Sequence, residues 1–385
     1  MKSKVQPAFT IVELLVVIVT IGVLAAITIV SYTGITTKAV SASLQSDIAN
    51  AAQQLKIYQT SDPSGNYPTA INCSNPGVTE VCVKPSGSNS FTYQVDNTSG
   101  SQNYRLYATN GSSNYLTTSN TAAQPVSVVC PVGFIVVPGS STYNTSDFCA
   151  MKYEAKNAGS NVPVSQAAGL PWVSINQTNA ATYSANVAGC TGCHLITEAE
   201  WLTIAQNVLR VATNWSTGIV GPGYIYSGHN DNSPANALAA SSDDTNGYYS
   251  TGQSSGNQRR TLTLSNGEVI WDLAGNVLEW TNGTSTNNQP GVTGSGYAWR
   301  EWTAVTNPGS LAFNPSPSAT GISGAGSWDS TKGIGMIYSS ADETVSRSFF
   351  RGGNWGYGNI AGVLMMRAFY DATYTDPSLG FRVSR

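Results

Sequence analysis

Charge is what this chain has least of. Asp, Glu, Lys and Arg make up 10% of its 385 residues, against about a quarter in an ordinary soluble domain. Lys and Arg gather nowhere and the net charge is −3, so the electrostatic footprint that nucleic acid requires is missing and DNA and RNA are excluded as partners. Histidine is nearly absent too. Only His194 and His229 could act as ordinary acid–base groups, and no Ser, His and Asp ordering of a hydrolase presents itself. Cysteine stops at Cys193, which leaves everything after it without a thiol for nucleophilic or copper chemistry. Tryptophan is missing before Trp172, which places the larger aromatic core beyond that point.

Ser, Thr, Asn and Gly fill the gap, giving the polar, uncharged, loop-rich surface of an exported protein. The length suits two or three units, each burying its own core. The six cysteines fall in three close pairs in sequence: Cys73 with Cys82, Cys130 with Cys149, and Cys190 with Cys193. An even count in an exported chain points to disulfides; nearest-neighbour pairing is the simplest scheme, although sequence does not choose among the alternatives.

The chain has one long hydrophobic run. After a leader with Lys2 and Lys4, Phe9 to Val30 is apolar over 22 residues, enough for a membrane-spanning helix. Glu13 interrupts it. A carboxylate at that depth costs about 2.5–3.5 kcal/mol or more unless it finds a partner, which argues for a role beyond anchoring. A cut between Ala8 and Phe9 would create an amino group one helical turn before Glu13, and the amine of a neighbouring copy could then neutralise the carboxylate as helices pack. The basic leader, the small Ala8, Phe9 and Glu13 together resemble type IV pilins and the pseudopilins of type II secretion, with Ala8 where Gly is more usual. The resemblance is specific over the first 32 residues. It implies prepilin peptidase as a processing partner, other pilin subunits as partners through the helix, and a single-pass membrane anchor or a place in a pilus.

Val40, Leu44, Ile48, Ala51, Ala52, Leu55 and Tyr58 recur at helical spacing, so the helix is predicted to continue to a stop at Ser61–Gly65, with Ile57 off the apolar face. Alternation in Phe91–Val95 and Tyr104–Thr109 predicts a small β head. Residues 118–128, small and polar with one proline, read as a linker. The expected organisation is a leader over 1–8, a pilin-like helix and β head over 9–117, the linker, and a C-terminal domain over 129–385.

In that domain Thr197 and Glu200 form a capping box, and Trp201, Ile204, Ala205, Val208 and Leu209 make one face of the helix that follows. Asn266-Gly267 between two alternating runs predicts a hairpin. Residues 283–346 are rich in Gly, Ser, Thr and Asn and read as loops. Three segments carry a second resemblance: HLITEAEWLTIA from His194, WDLAGNVLEW from Trp271, and RGGNW (351–355) with GFR (380–382). Together they resemble the formylglycine-generating-enzyme fold, a variant of the C-type lectin fold. The fold class expected is therefore α+β, with Trp271, Trp280, Trp355 and Phe381 as core aromatics. The oxidase that names the fold uses two cysteines beside its RGG segment; a gapless alignment places Tyr357 and Gly362 there, so no enzyme of that kind is expected.

Two motifs bear on cofactors. CTGCH (190–194) is a haem-attachment pattern, but without a second such motif and in an exported chain a disulfide is the preferred reading; zinc would need two more ligands. Asp272, Asn276 and Glu279 offer oxygens where the enzyme family holds calcium, and could bind a structural calcium or satisfy the backbone of a tight turn. No other cofactor is expected.

Between RGGNW and GFR the sequence has no period. It resembles the members of this fold whose C-terminal codons are rewritten by diversity-generating retroelements. Tyr357, Asn359, Ile360, Arg367, Phe369, Tyr370, Asp371, Thr373, Tyr374, Thr375 and Asp376 mix rigid aromatics with short polar groups, as paratopes do. They are the expected contacts to a protein or glycan ligand on an extracytoplasmic, surface-displayed domain. The alternative is an exported enzyme or structural module of the same fold without diversified binding.

Overall fold

The computed structural model describes residues 11–97, 102–110, 113–285, 288–294, 296–307, 309 and 314–385. A helix of 51 residues runs from Ile11 to Ser61. Its second half obeys the predicted spacing: Leu44, Ile48, Ala51 and Leu55 are fully buried, while Ile57 is 53% exposed. Asp62 then ends it by accepting from the amides of Ser64 and Asn66. In the first half the described apolar side chains, from Ile11 to Leu24, stand exposed. Ala8 and Phe9 lie outside the described residues, and Glu13 is described by its backbone alone. Among the described residues no helix is long and apolar enough to cross a membrane.

An antiparallel sheet lies on this helix, its strands Ser90–Asp96, Asn103–Asn110, Ser113–Thr118 and Gln124–Val126 paired in that order. Asp47 ties helix to head, accepting from the Ser86 amide and hydroxyl and from Asn89 Nδ2. The fourth strand corrects the reading of 118–128 as a linker. Pro125 masked it, because an edge strand tolerates a residue with no N–H to donate. The head is also joined directly to the rest of the chain, by an Arg105–Glu268 ion pair at 2.9 Å and by Gln124 Nε2 donating to the Asn266 carbonyl at 2.7 Å.

The C-terminal region is mixed α+β. Its central sheet has six strands in the order Ala298–Arg300, Ile337–Ser339, Gly362–Ala368, Arg347–Gly352, Leu278–Ser285, Leu379–Phe381. A second sheet joins His194–Leu195, Val383–Ser384, Phe148–Met151 and Phe134–Val137. The helix Glu198–Leu209 opens on the Thr197/Glu200 capping box and buries the whole predicted face, Trp201, Ile204, Ala205, Val208 and Leu209. The Asn266-Gly267 hairpin joins Thr261–Thr263 to Val269–Trp271. Residues 283–346 are not all loop: two strands of the central sheet come from them, each only three residues long and flanked by Gly and Ser, too short for a pattern to show.

Trp271 and Trp280 are completely buried and Phe381 nearly so. Trp355 is not in that core. It is half-buried, and its backbone serves the turn instead, the N–H donating to the Asn276 carbonyl and the C=O accepting from the Asn232 amide. The chain leaves the sheet at Gly352 and Gly353, both at positive φ, which carries Trp355 off the packed face.

A candidate ligand-binding face

The frame of the site is rigid for identifiable reasons. Arg351, fully buried, grips Glu198 at 2.6 Å and thereby fixes the strand Arg347–Gly352 to the helix Glu198–Leu209. Gly353 sits at φ +90, and a Cβ there would lie 2.7 Å from Ala361 Cα, so only glycine fits. At the other end a Cβ on Gly380 would meet the Trp172 carbonyl at 2.8 Å, Phe381 packs edge-on against Trp172, and Arg382 pairs with Glu279 at 2.7 Å.

Between these ends the chain builds an aromatic face around one guanidinium. Arg367, on the strand Gly362–Ala368, lies 5.0 Å from the ring centres of both Tyr338 and Tyr370 and donates to Tyr357 Oη at 3.0 Å. Among the described residues it makes no ion pair, and its Nε is buried without a partner. Tyr370 and Tyr374 stack at 3.5 Å and 5°, and Phe369 packs edge-on against Tyr297. Trp299 meets Tyr357 edge to face at 5.7 Å. Tyr297, Trp299 and Tyr338 escaped the sequence reading because they stand in or beside the two short strands; their alternation in YAW and IYS is the one signal that could have found them.

The predicted contacts divide by exposure. Asn359, Asp371, Thr373 and Thr375 are exposed, whereas Tyr357, Ile360, Arg367, Phe369, Tyr370, Tyr374 and Asp376 are half-buried. The large apolar side chains are therefore not free anchors: Tyr357, Ile360, Tyr370 and Tyr374 rest on the core beneath. The acidic groups are held in place. Asp371 accepts from the Thr373 amide and hydroxyl, which keeps its carboxyl below the usual range. Burial pushes Asp376 up, but the hydroxyl and amide of Ser378 outweigh it and leave that carboxyl lowered as well. Burial raises the Tyr357 phenol, so it stays protonated and able to hydrogen-bond.

The other candidate residues are committed elsewhere. Asp272 binds Arg260 through both oxygens at 2.7 Å, Asn276 Oδ1 accepts from the Leu238 amide while its Nδ2 donates to Glu154, and Glu279 is taken by Arg382. Their polar atoms are thus partnered within the chain, and the turn takes left-handed backbone at Asp272 and Asn276. Cys190 is bonded to Cys193, Cys73 to Cys82 and Cys130 to Cys149. The CTGCH sulfurs are thus joined to each other, and His194 turns to Glu200 at 3.1 Å. That hydrogen bond raises the His194 pKa against the cost of burial. At the positions matched to the oxidase cysteines, Tyr357 lies in the aromatic face and Gly362 fits where a Cβ would collide with the backbone of Ile334 at 2.2 Å.

Three disulfides place the chain in an oxidising, extracytoplasmic setting. A family model described as the sulfatase-modifying factor enzyme 1-like domain matches residues 88–385, which takes in the four-stranded head sheet as well as the C-terminal region. No curated protein matches the chain. Among solved structures, PvdO from Pseudomonas aeruginosa is 15% identical with a TM-score of 0.29, covering 67% of this chain and 93% of its own. Treponema denticola variable protein 1 is 14% identical at 0.30, covering 76% and 98%. The Major Tropism Determinant M1 variant is 12% identical at 0.29, covering 77% and 71%. At these scores the three likenesses carry no argument about function.

Proposed function

The chain belongs to the sulfatase-modifying factor enzyme 1-like domain family, and from that premise we propose that it is a surface-displayed binding protein, not an enzyme, whose ligand docks on the face around Arg367. The observation that carries this reading is the concentration of Trp299, Tyr338, Tyr357, Phe369, Tyr370 and Tyr374 around a guanidinium that makes no ion pair among the described residues, fringed by exposed Asn359, Asp371, Thr373 and Thr375. Such a mixture supplies rigid contact area beside adaptable hydrogen bonds. The irregular sequence between two stiff ends is what codon rewriting by a retroelement would leave, and a degenerate near-copy of the gene's 3′ end beside a reverse transcriptase is the expected neighbourhood. The ligand is a protein or glycan at the cell surface. Replacing Asn359, Asp371, Thr373 and Thr375 together by Ala should weaken binding to a ligand selected from a surface-protein and glycan array by about 2 kcal/mol or more. Thermal melting should stay close to wild type, because these side chains are exposed. A ligand that binds the variant as tightly as the parent would place the site elsewhere.

The N-terminus supports a pilin-like mode of display. A helix that begins apolar and exposed and continues into the base of a β head suits packing among subunits, and the bulk of the C-terminal region suits a minor or tip subunit better than a repeating one. Prepilin peptidase should cut between Ala8 and Phe9, giving a mature protein that starts at Phe9 by mass spectrometry. A mature start beyond Tyr32 would rule this display mode out.

A further inference from the structure

Of the three disulfides, Cys190–Cys193 has the least structural justification. It spans a sequence separation of 3, against 9 for Cys73–Cys82 and 19 for Cys130–Cys149. A cross-link that closes so short a loop removes little freedom from the unfolded chain, so it does little for stability. Its two sulfurs also differ in access. Cys193 is 6% exposed, whereas Cys190 is half-buried beside Thr191 and Gly192, which are exposed. In Cys130–Cys149 both residues are buried, at 3% and 0%.

The surroundings tie this turn to the end of the chain. The Thr191 carbonyl accepts from Arg385 Nε at 3.2 Å, His194 pairs with Ser384 across the sheet, and Ser384 Oγ lies between His194 Nε2 at 3.2 Å and Glu200 at 2.7 Å. We propose that Cys190–Cys193 is a thiol–disulfide exchange site, open to an incoming thiol at Cys190 and coupled through the Thr191 and His194 contacts to the C-terminal strand. An external thiolate attacks Cys190 Sγ; the Sγ–Sγ bond breaks, and Cys193 leaves as a thiolate that takes up a proton. A second partner thiol then attacks the mixed disulfide, releasing Cys190 as a thiol and the partner as its own disulfide. Two electrons pass from the two partner thiols to the cysteine pair. The partner class is a small thiol or a protein dithiol of the extracytoplasmic space.

The side chain of His194 is 42% exposed and stands next to Cys193 in sequence.

The test uses the full-length protein with reduced glutathione as the probe, quenching with an alkylating agent and reading each cysteine by peptide mass spectrometry. Cys190 and Cys193 should open at least about tenfold faster than the buried Cys130 and Cys149, as accessible disulfides do. Given oxidised glutathione instead, Cys193→Ser should accumulate a glutathione adduct on Cys190 as the free Cys190 thiolate attacks the glutathione disulfide and one glutathione leaves as a thiol, whereas Cys190→Ser should leave Cys193 largely unmodified. The double variant should melt near wild type, since the cross-link is not what holds the turn. Opening of Cys190–Cys193 only together with global unfolding would overturn the proposal. So would equal glutathionylation of the two single variants, or a double variant that fails to fold, since each would make this an ordinary structural bridge.

Discussion

Replacing Arg382 by Met should destabilise the C-terminal region by about 3–5 kcal/mol, the range found when one partner of a buried ion pair is removed. Arg382 is fully buried, binds Glu279 at 2.7 and 3.0 Å, and donates to the carbonyls of Met151 and Trp271 at 2.9 Å each. It therefore joins both sheets and the Asp272–Val277 turn at one point. Without it, Glu279 keeps the desolvation that already raises its pKa, keeps Asp272 as a like charge nearby, and loses the group that opposed both. The sign of the pH effect follows. An acid whose folded pKa lies above its unfolded value of about 4.3 costs nothing below that value and costs increasingly more as pH rises from it to the folded pKa, above which the cost is constant. The deficit of Arg382→Met relative to wild type should thus be smallest near pH 4 and grow toward neutrality, as measured by denaturant unfolding at each pH. Adding Glu279→Leu should recover most of it, because removing both partners leaves no uncompensated charge. A deficit that does not change with pH would assign the loss to packing alone.

The same arginine shows what sequence could convey. GFR and RGGNW announced a rigid frame, and the reasons are local: Gly353 and Gly380 sit where a Cβ would strike backbone, and Arg351 and Arg382 each hold a glutamate. The long helix, the capping box and the Asn266-Gly267 hairpin were legible because each depends on spacing within a few residues. What stayed hidden depends on partners distant in sequence. Asp272, Asn276 and Glu279 look like cation ligands until Arg260, Glu154 and Arg382 arrive from elsewhere in the chain to take their polar atoms. Trp355 looked like core because tryptophans usually are, but the two glycines before it carry the chain off the sheet. The aromatic face was half-seen: the residues after Trp355 drew attention by composition, while Tyr297, Trp299 and Tyr338 belong to strands too short to announce themselves.

Trp280→Ala should cost about 3–5 kcal/mol and unfold the domain well below the melting temperature of the parent. Trp280 is fully buried, its ring lies edge-on to Phe350 at 5.2 Å, and its Nε1 donates to the Ile175 carbonyl at 2.9 Å. Truncation would leave a cavity in the six-stranded sheet, where Trp280 is paired with Phe350 on one side and Phe381 on the other, and would orphan a buried carbonyl. Tyr374→Ala provides the contrast. Tyr374 is half-buried, and its main losses are the stack on Tyr370 and a hydrogen bond to Asp376 at 3.1 Å. An aromatic pair is worth about 0.5–1.5 kcal/mol beyond the area it buries, so this variant should fold at ordinary temperatures and lose affinity for the ligand instead. Calorimetry of the two variants beside a binding assay separates frame from face. If Tyr374→Ala melts as low as Trp280→Ala, the stacked tyrosines are part of the core and the surface around Arg367 is not built for a ligand.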